Sequence, residues 1–235
     1  MKKTGLKTSV RDNRLSLFFI GRVTKKEMEK LYTDVRFSIA DLQPGFDVIS
    51  DLSKCLFIDL SGLAVFRKIV TYLITNEVGE VVRVMNRKRV ISRQIVNLTL
   101  KMQGYIPVYV DSFDEAETHL NAFTKRNGIR FHLHNCEIKV IQDNSQAKGR
   151  IANISTSGCA VEAEGFVPEH NIPVTLLFSI GQNQENKVDF VINGDVVRAD
   201  GNTFAVRFTE VDKAQQDKLW DCFVYESQKE LVSIE

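Results

Sequence analysis

Two groups of residues in the second half of this 235-residue chain have types and spacings suited to an anionic ligand. Arg126-Asn127-Gly128-Ile129-Arg130 sets two guanidiniums four residues apart, and Asn153-Ile154-Ser155-Thr156-Ser157-Gly158 comes after it. A guanidinium is a planar fork of donors that bonds phosphate oxygens, or the O6/N7 edge of guanine, bidentately and can also stack on a base. Gly128 lets the short segment wrap round a ligand. Asn153 and Ser155 alternate on one face of an extended segment, so their polar groups can meet the same ligand group. Gly158 lets the backbone approach a ligand with no Cβ in the way. Each motif alone has a plainer reading. R-x-x-x-R is also a solvated basic linker, and N-x-S-x-x-G is also a turn in which Asn and Ser bond nearby backbone while Gly supplies positive φ. Their conjunction, in this order and before a β-rich segment, favours a ligand site. Lys125 and Arg150 are second-line candidates whose plainer reading is surface charge.

The elements that would position these residues change character near Phe123. Before it, short apolar runs alternate with amphipathic stretches, the grammar of a mostly parallel sheet with crossover helices. Strands are predicted at Leu15 to Ile20, Phe46 to Ser50, Val81 to Met85 and Ile106 to Val110. Thr24 and Glu27 form a capping box opening a helix with Met28, Leu31, Val35 and Ile39 on its buried face. Further helices are predicted from about Ser61 to Asn76, from Arg89 to Met102 and from Asp114 to Phe123. After Phe123, alternating bursts separated by Asn, Gly, Asp and Gln predict an antiparallel β-barrel. Its strands are expected at Ile129 to Asn135, Cys136 to Gln142, Lys148 to Ile154, Gly158 to Ala163, Pro173 to Ile180, Val188 to Ala199 and Thr203 to Thr209. Gly201 and Asn202 are expected to supply positive φ to a hairpin turn. A terminal helix from about Lys213 carries Leu219, Trp220, Phe223 and Val224 to cover one barrel opening. The fold class is therefore α/β plus β, with domains at residues 13–122 and 123–235.

A formal net charge of +1 gives no global field to draw in nucleic acid or a membrane surface. The first 122 residues carry 19 basic and 14 acidic side chains and the remainder 12 and 16, so the halves can attract each other weakly. The basic run Arg87-Lys88-Arg89 with Arg93 has no interleaved aromatics and reads as a solvated helix face. Cys55, Cys136, Cys159 and Cys222 are scattered singly, against a disulfide framework or a zinc site. His119, His132, His134 and His170 fit no metalloprotease or triad pattern; His132 and His134 share a strand face but have no third ligand. With no phosphate-binding or dinucleotide glycine fingerprint, the chain is expected to bind and not to catalyse, without metal or cofactor. With no apolar run of membrane-spanning length, a cytoplasmic protein is expected.

The ordered pair R-x-x-x-R and N-x-S-x-x-G resembles the PilZ domain, a bacterial receptor for cyclic di-GMP, over about residues 123 to 227. Gly149-Arg150-Ile151-Ala152, Gly194-Asp195-Val196-Val197-Arg198 and Phe204-Ala205-Val206-Arg207-Phe208 are similar to its flanking and later strands. The resemblance implies that Arg126, Arg130, Asn153, Ser155 and Gly158 bind cyclic di-GMP, and that Lys125 bears on whether one nucleotide or an intercalated pair is held. The family often has Asp where Asn153 stands.

Phe57-Ile58-Asp59-Leu60-Ser61-Gly62-Leu63-Ala64-Val65 resembles the strand-to-helix junction of STAS domains, the fold of anti-sigma factor antagonists, over about residues 13 to 120. There the serine before the glycine is phosphorylated, which makes Ser61 a candidate phosphosite at a helix N-cap, although Leu60 replaces the family's usual preceding serine. Together the resemblances imply a two-domain bacterial signalling effector. Cyclic di-GMP captured at the junction would change domain orientation and the docking of an unidentified protein partner. The alternatives are a scaffold that binds no nucleotide and acts through its STAS-like domain, and a protein gated by Ser61 phosphorylation. Motility and biofilm control come only from the company PilZ domains keep, and whether the chain forms a homodimer stays open.

Overall fold

A computed structural model describes residues 3–85, 105–122, 128–133, 135–143, 145–165, 167–181 and 187–232, with side chains described to 226. The chain divides into two units, one built on residues 1–129 and the other on Arg130–Lys229. In the first, β1 (Gly5–Ser9), β2 (Arg14–Phe18), β4 (Asp47–Asp51), β6 (Val81–Val84) and β8 (Val108–Val110) form one sheet in that order. All neighbours are parallel except β1, which pairs antiparallel with β2 at the edge. A second, two-stranded parallel pair joins β3 (Gly21–Val23) to β5 (Cys55–Ile58), and β7 (Tyr105–Ile106) precedes β8. The sequence pattern does not predict β1, whose one large apolar residue, Leu6, leaves no alternation to read.

The first crossover, α1 (Lys25–Ile39), begins as its capping box dictates. Thr24 Oγ1 accepts from the Glu27 amide at 3.3 Å, the Glu27 carboxylate accepts from the Thr24 amide at 2.9 Å, and Met28, Leu31, Val35 and Ile39 are buried. The second, α2 (Leu63–Thr75), corrects the expectation for its start. Leu60–Gly62 is a 3-10 turn, Gly62 is the N-cap, and Ser61 is exposed within the turn instead of capping the helix. Gly62 packs closely on α1, where a Cβ would lie 3.3 Å from Met28 Cγ. The helix expected at Arg89 to Met102, with Arg87, Lys88 and Arg93, lies outside the described residues.

A third helix, α3 (Phe113–Asn121), capped by Ser112, lays Ala116 and Leu120 on Ile49, Val82, Val84 and Val110. Its last turn is moored on a polar row at one end of the sheet. Arg14 stands in register with Asp47, whose carboxylate accepts from the Glu80 amide at 3.1 Å. Arg14 donates to Asn121 at 3.0 Å, and His119 Nε2 lies 3.0 Å from the buried Glu80 carboxylate.

The second unit is a closed antiparallel barrel. Around it run β10 (Glu137–Gln142), β13 (Pro173–Ile180), β14 (Val188–Asp200), β15 (Thr203–Thr209), β12 (Gly158–Glu164) and β11 (Ser145–Ser155), with β11 pairing back onto β10. Ile138, Val140, Ile154, Val161, Leu176, Ile192, Phe204 and Val206 fill the interior, every second residue of each strand. The β14–β15 hairpin turns through Gly201 at φ +59, while Asn202, contrary to expectation, is not in the positive-φ region; one glycine at the first turn position suffices for a II′ turn. Among the described residues of the strand expected over Ile129 to Asn135, only β9 (Arg130–Phe131) forms against β11, and Asn135 turns the chain at φ +55. A last helix, α4 (Lys213–Val232), buries Leu219 and Phe223 completely. The Phe131 ring stacks on Phe223 at 4.9 Å and meets Trp220 edge-on at 5.7 Å.

Candidate ligand-binding site

The site is built where β11 stops pairing with β10 and meets β9. The register of β11 against β12 shifts between Ile151 and Asn153, a bulge that places Ala152 as the extra residue and re-aims Asn153 and the rest of the strand. Beyond the bulge, Ile154 points into the barrel, so Asn153 and Ser155 stand on the outer side. Arg130 of β9 donates from Nη1 to Asn153 Oδ1 at 2.8 Å across 23 residues of sequence, so the two motifs meet side chain to side chain. With its carbonyl engaged by Arg130, the Asn153 side chain keeps its NH2 group as a donor for other acceptors. Arg126 and Lys125 lie outside the described residues.

Ser155 is only 3% exposed and belongs to the turn at the end of β11. Its hydroxyl donates to the Gly158 carbonyl at 3.2 Å and accepts from the Ser157 amide at 3.3 Å. Gly158 is not at positive φ; a Cβ there would come within 2.5 Å of the Val206 carbonyl of β15. Two members of the second motif thus shape the platform on which Asn153 stands. Arg150 is exposed on β11 between Glu137 and Glu162 of the neighbouring strands in register, as a surface charge would be. His132 bonds the Ala152 carbonyl of the bulge through Nδ1 at 2.8 Å, and His134 lies outside the described residues.

Sequence spacing does not show which other strands share this face. By register, Asn153 stands beside Ala160 of β12, then Ala205 of β15, then Arg198 of β14, while Gly158 stands beside Arg207, which faces Asp195. The local run Val-Val-Arg ahead of the Asp-Gly turn gives no sign of this, because the face of Arg198 depends on a second bulge between Val196 and Arg198. Beneath the platform, burial pushes the Cys159 thiol up to about 12, with the Arg130 charge acting in the opposite direction, so Cys159 is a neutral core residue. Among the described residues no group of three His, Cys, Asp or Glu side chains could hold a metal ion, and no helix is long and apolar enough to cross a membrane.

In the first unit Ser61 is exposed beside Leu60, which is 75% exposed. Nearby, Arg22 pairs with Asp59 at 3.0 Å and lies over the Phe57 ring at 5.7 Å.

The PilZ domain family matches residues 124–225. No curated protein matches the chain. Among solved structures, the PilZ domain of YcgR from Escherichia coli, determined with c-di-GMP, is 16% identical, with 43% of this chain and 89% of that one covered and a TM-score of 0.34. The Bacillus cell-fate determinant SpoIIAA in its phosphorylated form is 12% identical, covering 50% and 99%, with a TM-score of 0.38. An uncharacterized Shewanella loihica protein with a SpoIIAA-like fold is 14% identical, covering 50% and 91%, with a TM-score of 0.40. Such SpoIIAA-like neighbours cover the N-terminal half, and residues 124–225 are a PilZ domain.

Proposed function

We propose that this chain is a cytoplasmic receptor for cyclic di-GMP that performs no chemistry on its ligand. Arg126, Arg130, Asn153, Ser155 and Gly158 make the site, the arginines and Asn153 by contact and the other two by shaping the turn. The observation that carries the reading is the 2.8 Å bond from Arg130 to Asn153, which joins the two halves of the motif into one polar surface. Because Arg126 and Arg130 stand in sequence where the α/β domain gives way to the barrel domain, nucleotide capture fixes that segment. It thereby changes the orientation of the two domains and the docking of a protein partner. Such a shift requires that the ligand prefer one arrangement over the other.

Calorimetric titration with cyclic di-GMP tests the receptor. Charge-assisted bonds are worth roughly 1.5–3 kcal/mol, so Arg126→Ala and Arg130→Ala should each weaken binding by about one to two orders of magnitude. Absence of saturable binding by the wild-type chain would sink the reading. Small-angle scattering tests the reorientation, which identical profiles with and without saturating nucleotide would contradict. A second reading rests on the exposed Ser61 beside the exposed Leu60: a protein-docking surface gated by phosphorylation. Mass spectrometry after incubation with serine kinases of the host tests it, and unmodified Ser61 under all conditions would count against it.

A further inference from the structure

The barrel face that carries Asn153 has a floor and a far wall. Four adjacent strands contribute one row: Asn153 on β11, Ala160 on β12, Ala205 on β15 and Arg198 on β14. Both alanines are half-buried, alternate with interior residues and carry nothing beyond Cβ, so the row is flat between its polar ends. Three strand spacings of about 4.8 Å put the backbones at its ends about 14 Å apart, leaving a shelf for a planar base between the two side chains.

Arg198 differs from the other arginines of this face. Arg130 is committed to Asn153, Arg150 lies between Glu137 and Glu162, and Arg207 has Asp195 as its cross-strand neighbour. The cross-strand partner of Arg198 is Ala205, and among the described residues the guanidinium is exposed with no hydrogen bond or ion pair; Asp200, two residues on, makes none with it. The bulge at Val197 turns Arg198 onto the face of Ala205; without it, the side chain would alternate the other way. An uncommitted forked cation at the edge of a small-residue shelf is the arrangement that reads the O6/N7 edge of a purine.

We propose that Arg198 is a specificity-determining ligand contact: it donates bidentately to O6 and N7 of a guanine of cyclic di-GMP lying on Ala160 and Ala205. The inference rests on the receptor reading above and goes beyond its motifs. The test is calorimetry on the full chain with cyclic di-GMP, comparing wild type, Arg198→Ala, Arg198→Lys and Arg130→Ala, with cyclic di-AMP as competitor and a melting curve of each free protein. Arg198→Ala should weaken cyclic di-GMP binding about tenfold to hundredfold and reduce its advantage over cyclic di-AMP, with the free protein melting as wild type does. Arg198→Lys, which keeps the charge but not the fork, should recover only a minor part. Wild-type affinity in Arg198→Ala, with binding lost in Arg130→Ala, would overturn the inference and leave the receptor standing. Full rescue by lysine would overturn the base-edge contact in favour of simple charge. No binding by the wild-type chain would overturn both.

Discussion

Substituting alanine at Gly158 separates a glycine kept for the ligand from one kept for the fold. The added Cβ would sit 2.5 Å from the Val206 carbonyl and 3.4 Å from Arg207 Cα, both backbone atoms of β15, so no side chain can rotate away to make room. Relief requires β12 and β15 to part at residues paired in register, Gly158 with Arg207 and Cys159 with Val206. Overpacking of this kind costs about 1–3 kcal/mol. Losing a glycine returns about 0.4–1 kcal/mol through the unfolded chain, and the backbone conformation is no obstacle, since φ is not in the left-handed region. The clash therefore wins except at the bottom of its range. At about 4–8 °C per kcal/mol for a domain of this size, a net loss of about 1–2 kcal/mol lowers the melting temperature of the barrel by about 4–16 °C. Thermal unfolding of the nucleotide-free protein, monitored by the fluorescence of Trp220, measures it. Gly158→Ala melting with the wild type while losing cyclic di-GMP would refute the reasoning and restore the glycine to the ligand.

Three further outcomes are expected. Phe223 is wholly buried against Phe131, so Phe223→Ala should cost about 3–5 kcal/mol in urea unfolding of the barrel; a near-wild-type value would show that α4 does not seal it. Burial pushes the Cys136 and Cys159 thiols up to about 12 and Cys55 up to about 11, from an ordinary 9.0, so above pH 9 the unfolded chain binds fewer protons than the folded one. Stability is whole below pH 9 and falls as pH rises toward 12, by about 1 kcal/mol per thiol at pH 10; Cys159→Ala should flatten that fall between pH 8.5 and 10, and an unchanged slope would refute it. His119→Ala deprives the buried Glu80 carboxylate of its partner and should cost about 1–3 kcal/mol in the first unit, partly restored by His119→Gln; wild-type stability in the alanine variant would mean the 3.0 Å contact moors nothing.

How legible each feature is in the residues depends on how far its cause lies along the chain. The strands Pro173–Ile180 and Thr203–Thr209 fall where alternation and turn residues put them, because both signals are local to the segment. The capping box at Thr24 is legible for the same reason. The edge strand Gly5–Ser9 is not, since its pairing with β2 is the reason it is a strand. The site divides in the same way. Arg130 and Asn153 are marked by residue types that want partners, and they find each other. Ser155 and Gly158 carry the same motif, but the hydroxyl closes its own turn and the missing Cβ clears a strand far downstream, so their types alone could not separate ligand contact from fold. Arg198 lies at the opposite extreme: nothing local distinguishes it from any surface arginine. Only the register of four strands and two bulges sets it across a shelf from Asn153. A motif reports residues that a site cannot do without, whereas a platform is made of whatever the sheet brings alongside them. On this barrel, ligand selectivity should therefore track the residue at position 198 more than the motif itself.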